Sequence, residues 1–254
     1  MKYEYKYLVP KNRLDELRSM IMPFIELDSF ADVQNRGEYT VKSIYFDNAS
    51  FDYYYEKVDG FKIRKKIRIR GYNDASDSNT VFLEIKRKYY EPISKTRAPL
   101  TFAKIKSLFE GSDASALEDL TDGNREVING AGSFFYHVYS NNLKPVILVI
   151  YDREPYHDKF GKGIRITFDK NLRSVAYPGI NDLYDENKAM PSIPEYFILE
   201  IKFYDEFPFW LRSTIGHLGV IRQSVSKYEI CIKDQKLVDS NYKSNLFPNA
   251  RWHN

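Results

Sequence analysis

The sequence predicts an α+β fold in which antiparallel strands form a barrel surrounded by helices. Three strand-like segments each carry a carboxylate and a lysine two residues apart, namely Glu4/Lys6, Glu84/Lys86 and Glu200/Lys202. Side chains two apart on a strand share a face, and the residues between them here are apolar or aromatic. A fourth segment, FKIRKKIRIRG, alternates basic and apolar residues with the same period. A sheet with one charged face is therefore expected to recur along the chain.

The first half of the chain predicts strands separated by short helices. A strand ends at Pro10, and KNRLDELRSMIMPF then has the apolar spacing of a helix. EYTVKSIYFD has the alternation of a strand, and Asn48 is expected to cap a short helix in ASFDYYYEKV. The basic strand, at about 61–72, and VFLEIKRK, at about 80–89, are expected to form a hairpin with a long polar tip. ISKTRA is predicted as a further short strand.

The second half predicts a helical middle followed by more strands. Residues from about 101 to 142 have helical character, with breaks at Gly111 and at Gly130–Gly132. KPVILVIYDREPY and GIRITFDKNLRSV predict a hairpin with Lys170-Asn171 near its turn, and YFILEIKF predicts another strand. Helices are expected after Pro208 and in SKYEICIKDQKLV. Because no linker rich in Pro, Gly or Ser divides the chain, we expect one domain over residues 1–240 and a tail over residues 241–254.

Composition limits the classes of protein to which the chain can belong. Its 254 residues carry a net charge of +3, so any basic site must come from local clustering of charges. This modest charge, with a pI near 8.6, disfavours nucleic-acid binding. The single cysteine, Cys231, excludes an intrachain disulfide and is expected to be a buried thiol in a cytoplasmic protein. The N-terminus has no signal-peptide core, and no apolar run is long enough to predict a membrane-spanning helix.

The charged strand faces could either be exposed to solvent or line an internal channel. Antiparallel sheets commonly expose one face to water, which would make these charges a solvated surface. However, the pattern extends to Arg153 and to Arg165, Thr167 and Asp169, and bases occupy successive positions of one face. Two like charges about 4 Å apart repel by about 4 kcal/mol at an effective dielectric constant near 20. Clustered bases therefore favour an inward-facing channel that accommodates a chain of phosphates.

The chain resembles the triphosphate tunnel metalloenzymes, and in particular their VTC (vacuolar transporter chaperone) polyphosphate polymerase branch. The matching segments are YEYKYLV, YTVKSIYFD, KIRIRGY, VFLEIKRK, ISKTRA, YDREPY, IRITFD, FILEIKF and SKYEICI, in order from residue 3 to about 232. The CYTH branch of that superfamily begins with Glu-x-Glu-x-Lys, whereas this chain has Lys2, Glu4 and Lys6. The missing first acid disfavours a CYTH-type triphosphatase. Eukaryotic VTC proteins also carry an SPX domain and membrane helices, which are not recognised here, so transport by this chain alone is not expected.

The resemblance implies a set of site residues. Eight bases are expected to bind phosphate and act in catalysis: Lys6, Arg68, Arg70, Lys86, Lys95, Arg153, Arg165 and Lys227. Lys202, which faces the same way as Glu200, is expected to join them. Five of them are also assigned to cofactor binding: Arg68, Arg70, Lys86, Arg153 and Arg165. Glu200 is the expected ligand of Mn²⁺ or Mg²⁺, because these ions prefer oxygen ligands. Glu4 and Glu84 are weaker candidates, and the alternative role for them is to orient Lys6 and Lys86. Asp169 is expected to lie behind the ligands or to cap its strand.

The activity implied by the resemblance is transfer of the terminal phosphoryl group of ATP to orthophosphate or to a polyphosphate end, which releases ADP. Two alternatives stay open: a tunnel hydrolase that acts on inorganic triphosphate or a nucleotide, and a module that binds polyphosphate without turnover. No P-loop, kinase glycine-rich loop or G-x-S-x-G motif is present, and the four histidines have no metal-like spacing. Phosphoryl transfer by this chain would therefore depend on positioning by side-chain charge.

Overall fold

Ten strands and seven helices lie in the part of the chain that the structure, a computed structural model, describes: residues 2–33, 37–90, 93–111, 121 and 123–239. The strands are β1 (Lys2–Pro10), β2 (Ile25–Leu27), β3 (Tyr39–Asp47), β4 (Ile63–Tyr72), β5 (Thr80–Tyr89), β6 (Ile93–Thr101), β7 (Lys144–Asp158), β8 (Arg165–Ala176), β9 (Met190–Pro191) and β10 (Tyr196–Tyr204). The helices are α1 (Leu14–Ile21), α2 (Ser29–Val33), α3 (Asp52–Val58), α4 (Phe102–Phe109), α5 (Arg125–Ser140), α6 (Phe209–Leu218) and α7 (Lys227–Asp234).

The strands belong to one hydrogen-bonded sheet with the order β1-β10-β8-β7-β3-β4-β5-β6, in which β2 pairs with β7 and β9 pairs with β8. The β1–β10, β10–β8, β4–β5 and β5–β6 pairs are all antiparallel. The predicted α+β class with an antiparallel sheet is therefore confirmed. Closure of this sheet into a tunnel stays a prediction.

The chain divides into two compact units. The first comprises residues 1–41, 150–174 and 189–227, and the second comprises residues 42–149, 175–188 and 228–254. β3, β7 and β8 contribute residues to both units. The single domain over residues 1–240 stays a prediction, and the predicted tail over residues 241–254 lies outside the described residues.

The first unit has an apolar core on one side of β1, β8 and β10. Tyr7, Phe168 and Ile201, one from each strand, are buried in this core, together with Leu17 of α1 and Leu211 of α6. Successive strand side chains point to opposite faces, so the residues between these apolar ones lie on the other face. The register aligns them in two rows across the three strands, Lys6–Glu200–Thr167 and Glu4–Lys202–Arg165.

The second unit repeats this arrangement on β4, β5 and β6. Ile67, Ile69, Leu83 and Ile85 are fully buried on the apolar face. The register aligns the opposite face in two further rows, Arg68–Glu84–Arg97 and Lys66–Lys86–Lys95. The predicted hairpin of β4 and β5 is present, and β6 extends the predicted ISKTRA strand to Thr101.

The predicted helix break at Gly130–Gly132 is wrong, because α5 runs without interruption from Arg125 to Ser140. Gly130 lies where α5 packs against β6, and a Cβ atom there would come within 3.1 Å of the Cβ atom of Ala98. This glycine therefore allows close approach of the helix to the sheet, which offsets its poor helix propensity. The helical prediction beyond Gly111 concerns residues 112–120, which lie outside the described residues.

Two local predictions are also wrong. The N-cap of α3 is Phe51, at a φ of 56°, and the carboxylate of Asp47 accepts hydrogen bonds from the amides of Tyr53 and Tyr54 at 3.1 and 3.0 Å. Asn48 is therefore not at the N-cap position, but its Oδ1 atom accepts from the amide of Asp52 at 3.1 Å, so Asp47 and Asn48 share the capping of α3. Lys170-Asn171 is not at a turn, because Asn171, at a φ of 50°, lies inside β8 and the chain turns between Asp158 and Arg165.

The sequence predictions for α7 and Cys231 are confirmed. The segment SKYEICIKDQKLV contains α7, and Cys231 is a free thiol that is fully buried in it. Over the described ranges, no helix has both the length and the apolarity needed to cross a membrane.

A buried ion-pair cluster fixes α1 to β7 and β8. Arg18 of α1 donates hydrogen bonds to both carboxylate oxygens of Glu154 at 2.8 and 2.6 Å. Lys170 lies 2.8 Å from the same carboxylate and 2.5 Å from that of Glu38. Burial alone would raise the pKa of Glu154, but hydrogen bonds from Arg18, Lys170 and Tyr156 lower it to about 2.

We expect Glu154→Gln to lower the free energy of unfolding by about 3 kcal/mol at pH 7. Because the folded-state pKa is depressed, this contribution is present above about pH 4.5 and is lost as the pH falls towards 2. Urea unfolding of both proteins between pH 3 and pH 7 measures it. The control is Glu38→Gln, which changes a more exposed carboxylate of the same cluster. A difference that is independent of pH would contradict the prediction.

Candidate functional site

The charged strand faces are largely withdrawn from solvent. The side chains of Glu84, Asp169 and Glu200 are 1%, 0% and 7% exposed, and those of Arg70 and Arg153 are 10% and 12% exposed. A solvated surface would leave such groups in water. The centre of each face is instead buried, whereas Lys95 and Arg97 at its edge are each 38% exposed. Each unit holds one cluster of charged residues.

The cluster of the first unit, here called the Glu200 cluster, consists of Glu4, Lys6, Arg153, Asp169, Glu200, Lys202 and Lys227. Neighbouring strands place alternating charges side by side. Lys6 Nζ lies 2.7 Å from Glu4 Oε1 and 3.6 Å from Glu200 Oε2. Lys202 Nζ lies 2.7 Å from Glu200 Oε1. Both oxygens of the Glu200 carboxylate therefore face an ammonium group.

Asp169 holds the other two bases of this cluster. Arg153 donates to both carboxylate oxygens of Asp169, at 2.7 and 2.8 Å, and Lys227 Nζ lies 2.5 Å from Asp169 Oδ2. Lys227 is the first residue of α7 and reaches the sheet from there. Its ammonium group and the Arg153 guanidinium both lie over the Tyr151 ring, at 4.6 and 5.3 Å from the centroid. Asp169 thus contacts and positions Arg153 and Lys227, which are two of the residues expected to bind phosphate.

Burial and charge act in opposite directions on the pKa values of this cluster. Burial would raise the pKa of Glu200, but Lys6 and Lys202 hold it well below its usual range. The pKa of Asp169 is likewise lowered, against burial, by Arg153 and Lys227. Burial would lower the pKa of Lys6, but Glu200 and Glu4 raise it above its usual value. These groups are therefore charged at neutral pH, and the bases of the cluster outnumber its carboxylates.

The cluster of the second unit, here called the Glu84 cluster, consists of Arg68, Arg70, Glu84, Lys95 and Arg97. Arg68 donates to Glu84 Oε2 at 2.8 Å, and Arg97 donates to Glu84 Oε1 at 2.8 Å. Lys95 Nζ lies 2.7 Å from the same Oε1 atom, and Arg70 Nε lies 3.9 Å from Oε2. One carboxylate therefore contacts four bases. Such an excess of positive charge attracts an anion.

Lysines of three adjacent strands add to this excess. Lys66, Lys86 and Lys95 are directly opposite one another across β4, β5 and β6. Like charges in such cross-strand positions destabilise a sheet unless an anion compensates them. Tyr45 and Ser43 of β3 support the neighbouring arginines, because their hydroxyl oxygens accept from Arg68 at 2.7 Å and from Arg70 at 3.1 Å.

The structure does not bring Arg165 into an ion pair with the Glu200 cluster. Arg165 is opposite Lys202 in the β8–β10 register, but its guanidinium lies 3.3 Å from Asp28 Oδ2. Its side chain is also 37% exposed, more than the other arginines of the two charged faces except Arg97. The other expected site residues lie in the two clusters or, for Lys86, in the lysine row.

Arg97 is the main site residue that sequence reasoning missed. It lies two residues after Lys95 in ISKTRA and so shares its strand face. That spacing was available in the sequence. Its contact with Glu84 depends on the β5–β6 register, which places the two residues directly opposite each other.

A divalent cation is implied by the resemblance, and the Glu200 cluster offers oxygen atoms for it. Glu200 is an ionised, buried carboxylate, and Glu4 shares Lys6 with it. Mg²⁺ usually takes one or two carboxylates together with phosphate oxygens and waters. Glu200 and Glu4 would hold such an ion in place of their contacts with Lys6 and Lys202, whereas four bases contact Glu84. Among the described residues, no group of three or more His, Cys, Asp or Glu side chains is arranged to bind a metal.

Lys95 gives the Glu84 cluster a pH dependence. Burial, opposed by Glu84 and reinforced by Arg97 and Arg68, lowers the pKa of Lys95 to about 8. We expect the affinity for inorganic triphosphate to fall as the pH rises from 7 to 9, because Lys95 loses its charge. Isothermal titration calorimetry of the wild type and Lys95→Arg measures this. The arginine variant keeps its charge and should show a flatter profile; equal profiles for the two proteins would contradict the prediction.

Comparisons with known proteins place the chain among VTC domain proteins. The sequence model of the VTC domain matches residues 1–235. Vacuolar transporter chaperone complex subunit 4 of Schizosaccharomyces pombe is 24% identical over 258 residues, which cover 88% of this chain and 36% of that protein. Subunit 4 of Trypanosoma brucei brucei is 26% identical over 229 residues, which cover 78% of this chain and 29% of that protein.

A solved structure, the PH1819 protein from Pyrococcus horikoshii OT3, aligns with a TM-score of 0.46 at 17% identity over 91% of this chain and 99% of its own. The chain spans only about a third of the length of the curated relatives that it matches. The VTC match extends over nearly the whole of this chain. The chain belongs to the VTC domain family.

Proposed function

We propose that this chain is a metal-dependent polyphosphate polymerase that uses ATP as its phosphoryl donor. The observation that supports this most directly is the excess of bases around one buried carboxylate: Arg68, Arg70, Lys95 and Arg97 surround Glu84. Membership in the VTC domain family supports a phosphate ligand rather than another anion. A polyphosphate chain carries one or more charges per phosphate and matches such a surface.

The reaction that we propose is a direct phosphoryl transfer. The bond between the γ-phosphorus of ATP and its β-bridging oxygen breaks, and a new bond joins that phosphorus to an oxygen of orthophosphate or of the chain end. ADP leaves with the electron pair of the broken bond. No covalent intermediate with the protein is required, because phosphoryl transfer depends mainly on positioning and on charge stabilisation.

Each cluster contributes to this reaction through its bases. Arg68 and Arg97 offer planar guanidinium groups that contact two phosphate oxygens, whereas Lys6 and Lys202 offer compact charges. In each cluster, phosphate oxygens would replace carboxylate oxygens as partners of these bases. A divalent cation at Glu200 and Glu4 would neutralise charge on the transferred group when bound. Asp169 holds Arg153 and Lys227 in place for the same contact.

The proposal includes the partners and location of the chain. ATP, orthophosphate and polyphosphate are its ligands, and Mn²⁺ or Mg²⁺ is its cofactor. A cytoplasmic location fits the free thiol of Cys231 and a supply of ATP. We do not propose nucleic acid as a partner, because the net charge is only +3.

The test is to incubate the purified chain with ATP and Mn²⁺ and to follow the products by ³¹P NMR. We expect an internal-phosphate resonance to grow as ADP appears, and to be absent with Glu200→Gln. Orthophosphate or pyrophosphate without a chain resonance would show a hydrolase and contradict the proposal. Triphosphate binding without any turnover, with either metal, would show a binding module and would also contradict it.

A further inference from the structure

We propose that Thr167 is a further substrate-binding residue, whose hydroxyl donates a hydrogen bond to a phosphate oxygen of the bound chain. The inference rests on the proposed function in one respect, namely that the Glu200 cluster binds phosphate. It adds a neutral donor to a site otherwise built from charged groups.

The first observation is that the Thr167 hydroxyl is buried and unpaired. The residue is 3% exposed, and its Oγ1 atom has no hydrogen-bond partner among the described residues. An unpaired hydroxyl in a protein interior is destabilising, and buried hydroxyls normally have a partner. Valine has almost the same shape and would fill this position without that penalty. The hydroxyl is therefore best explained by a partner that arrives with the ligand.

The second observation is where the residue lies. Thr167 is opposite Glu200 and follows Lys6 in the row Lys6–Glu200–Thr167, on the charged face of β8. Its neighbours on the same face of β8 are Arg165 and Asp169, two residues before and after it. The hydroxyl is thus among the groups that we expect to contact phosphate.

The third observation concerns the acceptors nearby. The carboxylate oxygens of Glu200 face Lys6 and Lys202. Those of Asp169 accept from Arg153 and contact Lys227. Lysine and arginine have no acceptor atoms. These bases supply positive charge, while the Thr167 hydroxyl has no hydrogen-bond partner among the described residues. An anionic ligand oxygen would satisfy both.

The test compares Thr167→Val, which removes the hydroxyl, with Thr167→Ser, which keeps it. We expect calorimetry with inorganic triphosphate in EDTA to show about 10- to 100-fold weaker binding for the valine variant, because the lost bond is to a charged acceptor. The serine variant should bind within about threefold of the wild type. Without ligand, the valine variant should be at least as stable as the wild type, since no protein contact is lost.

Thr214→Val is a matched control. Thr214 is equally buried, but its hydroxyl donates to the carbonyl oxygen of Trp210 at 2.9 Å. We expect that variant to lose stability and to bind triphosphate normally, which is the opposite of the Thr167→Val result.

The outcomes separate this inference from the proposed function. Unchanged triphosphate affinity in Thr167→Val, or loss of its stability or folding without ligand, would overturn the role of Thr167 and leave the polymerase proposal intact. Weakened binding in Thr167→Val together with a wild type that makes no polyphosphate would support the inference and contradict the polymerase. A wild type that does not bind triphosphate would overturn both.

Discussion

Replacing Glu200 by glutamine is expected to reduce turnover of ATP about 100-fold. The substitution preserves shape but removes the charged oxygen ligand that we assign to the divalent cation. It also removes the counter-charge that Lys6 and Lys202 share, at 3.6 and 2.7 Å. Loss of the charge stabilisation that a metal supplies corresponds to about 3 kcal/mol in the activation free energy.

The measurement is the initial rate of ADP release at saturating Mn²⁺. In EDTA, triphosphate affinity should stay the same or increase, because a negative charge has left a phosphate site. Glu154→Gln is the control, assayed under conditions in which circular dichroism shows it folded, since it neutralises an equally buried carboxylate of another cluster. A rate within about threefold of the wild type would show that Glu200 is not the metal ligand.

Replacing Glu84 by glutamine is expected to lower the free energy of unfolding by about 3 to 5 kcal/mol in phosphate-free buffer. Glu84 is buried, and Arg68, Lys95 and Arg97 all contact its carboxylate. Removing it leaves these bases facing one another without a counter-charge. Burial would raise the pKa of Glu84, but Arg68, Arg70 and Lys95 hold it far below its usual range, so the carboxylate is charged throughout the neutral range.

Saturating inorganic triphosphate should stabilise Glu84→Gln more than the wild type, because the ligand replaces the missing negative charge. Urea unfolding with and without triphosphate measures both effects. Glu195→Gln, which alters an exposed carboxylate, is the control and should behave as the wild type. The same stabilisation of Glu84→Gln and the wild type by triphosphate would show that the Glu84 cluster does not bind phosphate.

The ligand dependence that we expect of the two clusters rests on one physical feature. In the structure, carboxylates of the chain itself hold the bases: Asp169 holds Arg153 and Lys227, and Glu84 holds Arg68 and Arg97. Paired charges are tolerated in a buried site, whereas unpaired bases of this number would be costly. Phosphate oxygens can then take over the same donors when a ligand binds.

The charged strand faces were predictable from the sequence because their cause is local. A strand side chain alternates between faces with a period of two, so Glu4 and Lys6 must lie opposite Tyr5 wherever the strand is placed. Arg97 could have been found in the same way from its spacing to Lys95. Helix termini were less predictable. Two amides of the first turn of α3 donate to Asp47, whose carboxylate also accepts a hydrogen bond from the distant Tyr228 hydroxyl at 2.6 Å.

The sequence by itself determined the α+β class, which residues of each strand share a face, and the types of residue that line the charged faces. These features depend on residues within a few positions of each other. Only the tertiary structure decided which charges meet. The pairing of Lys6 with Glu200, of Arg153 and Lys227 with Asp169, and of Arg97 with Glu84 is set by strand register and by where α7 begins. The sequence could not predict that the Thr167 hydroxyl is unpaired, for the same reason. Whether a hydroxyl has a hydrogen-bond partner is known only once the positions of all neighbouring acceptors are known.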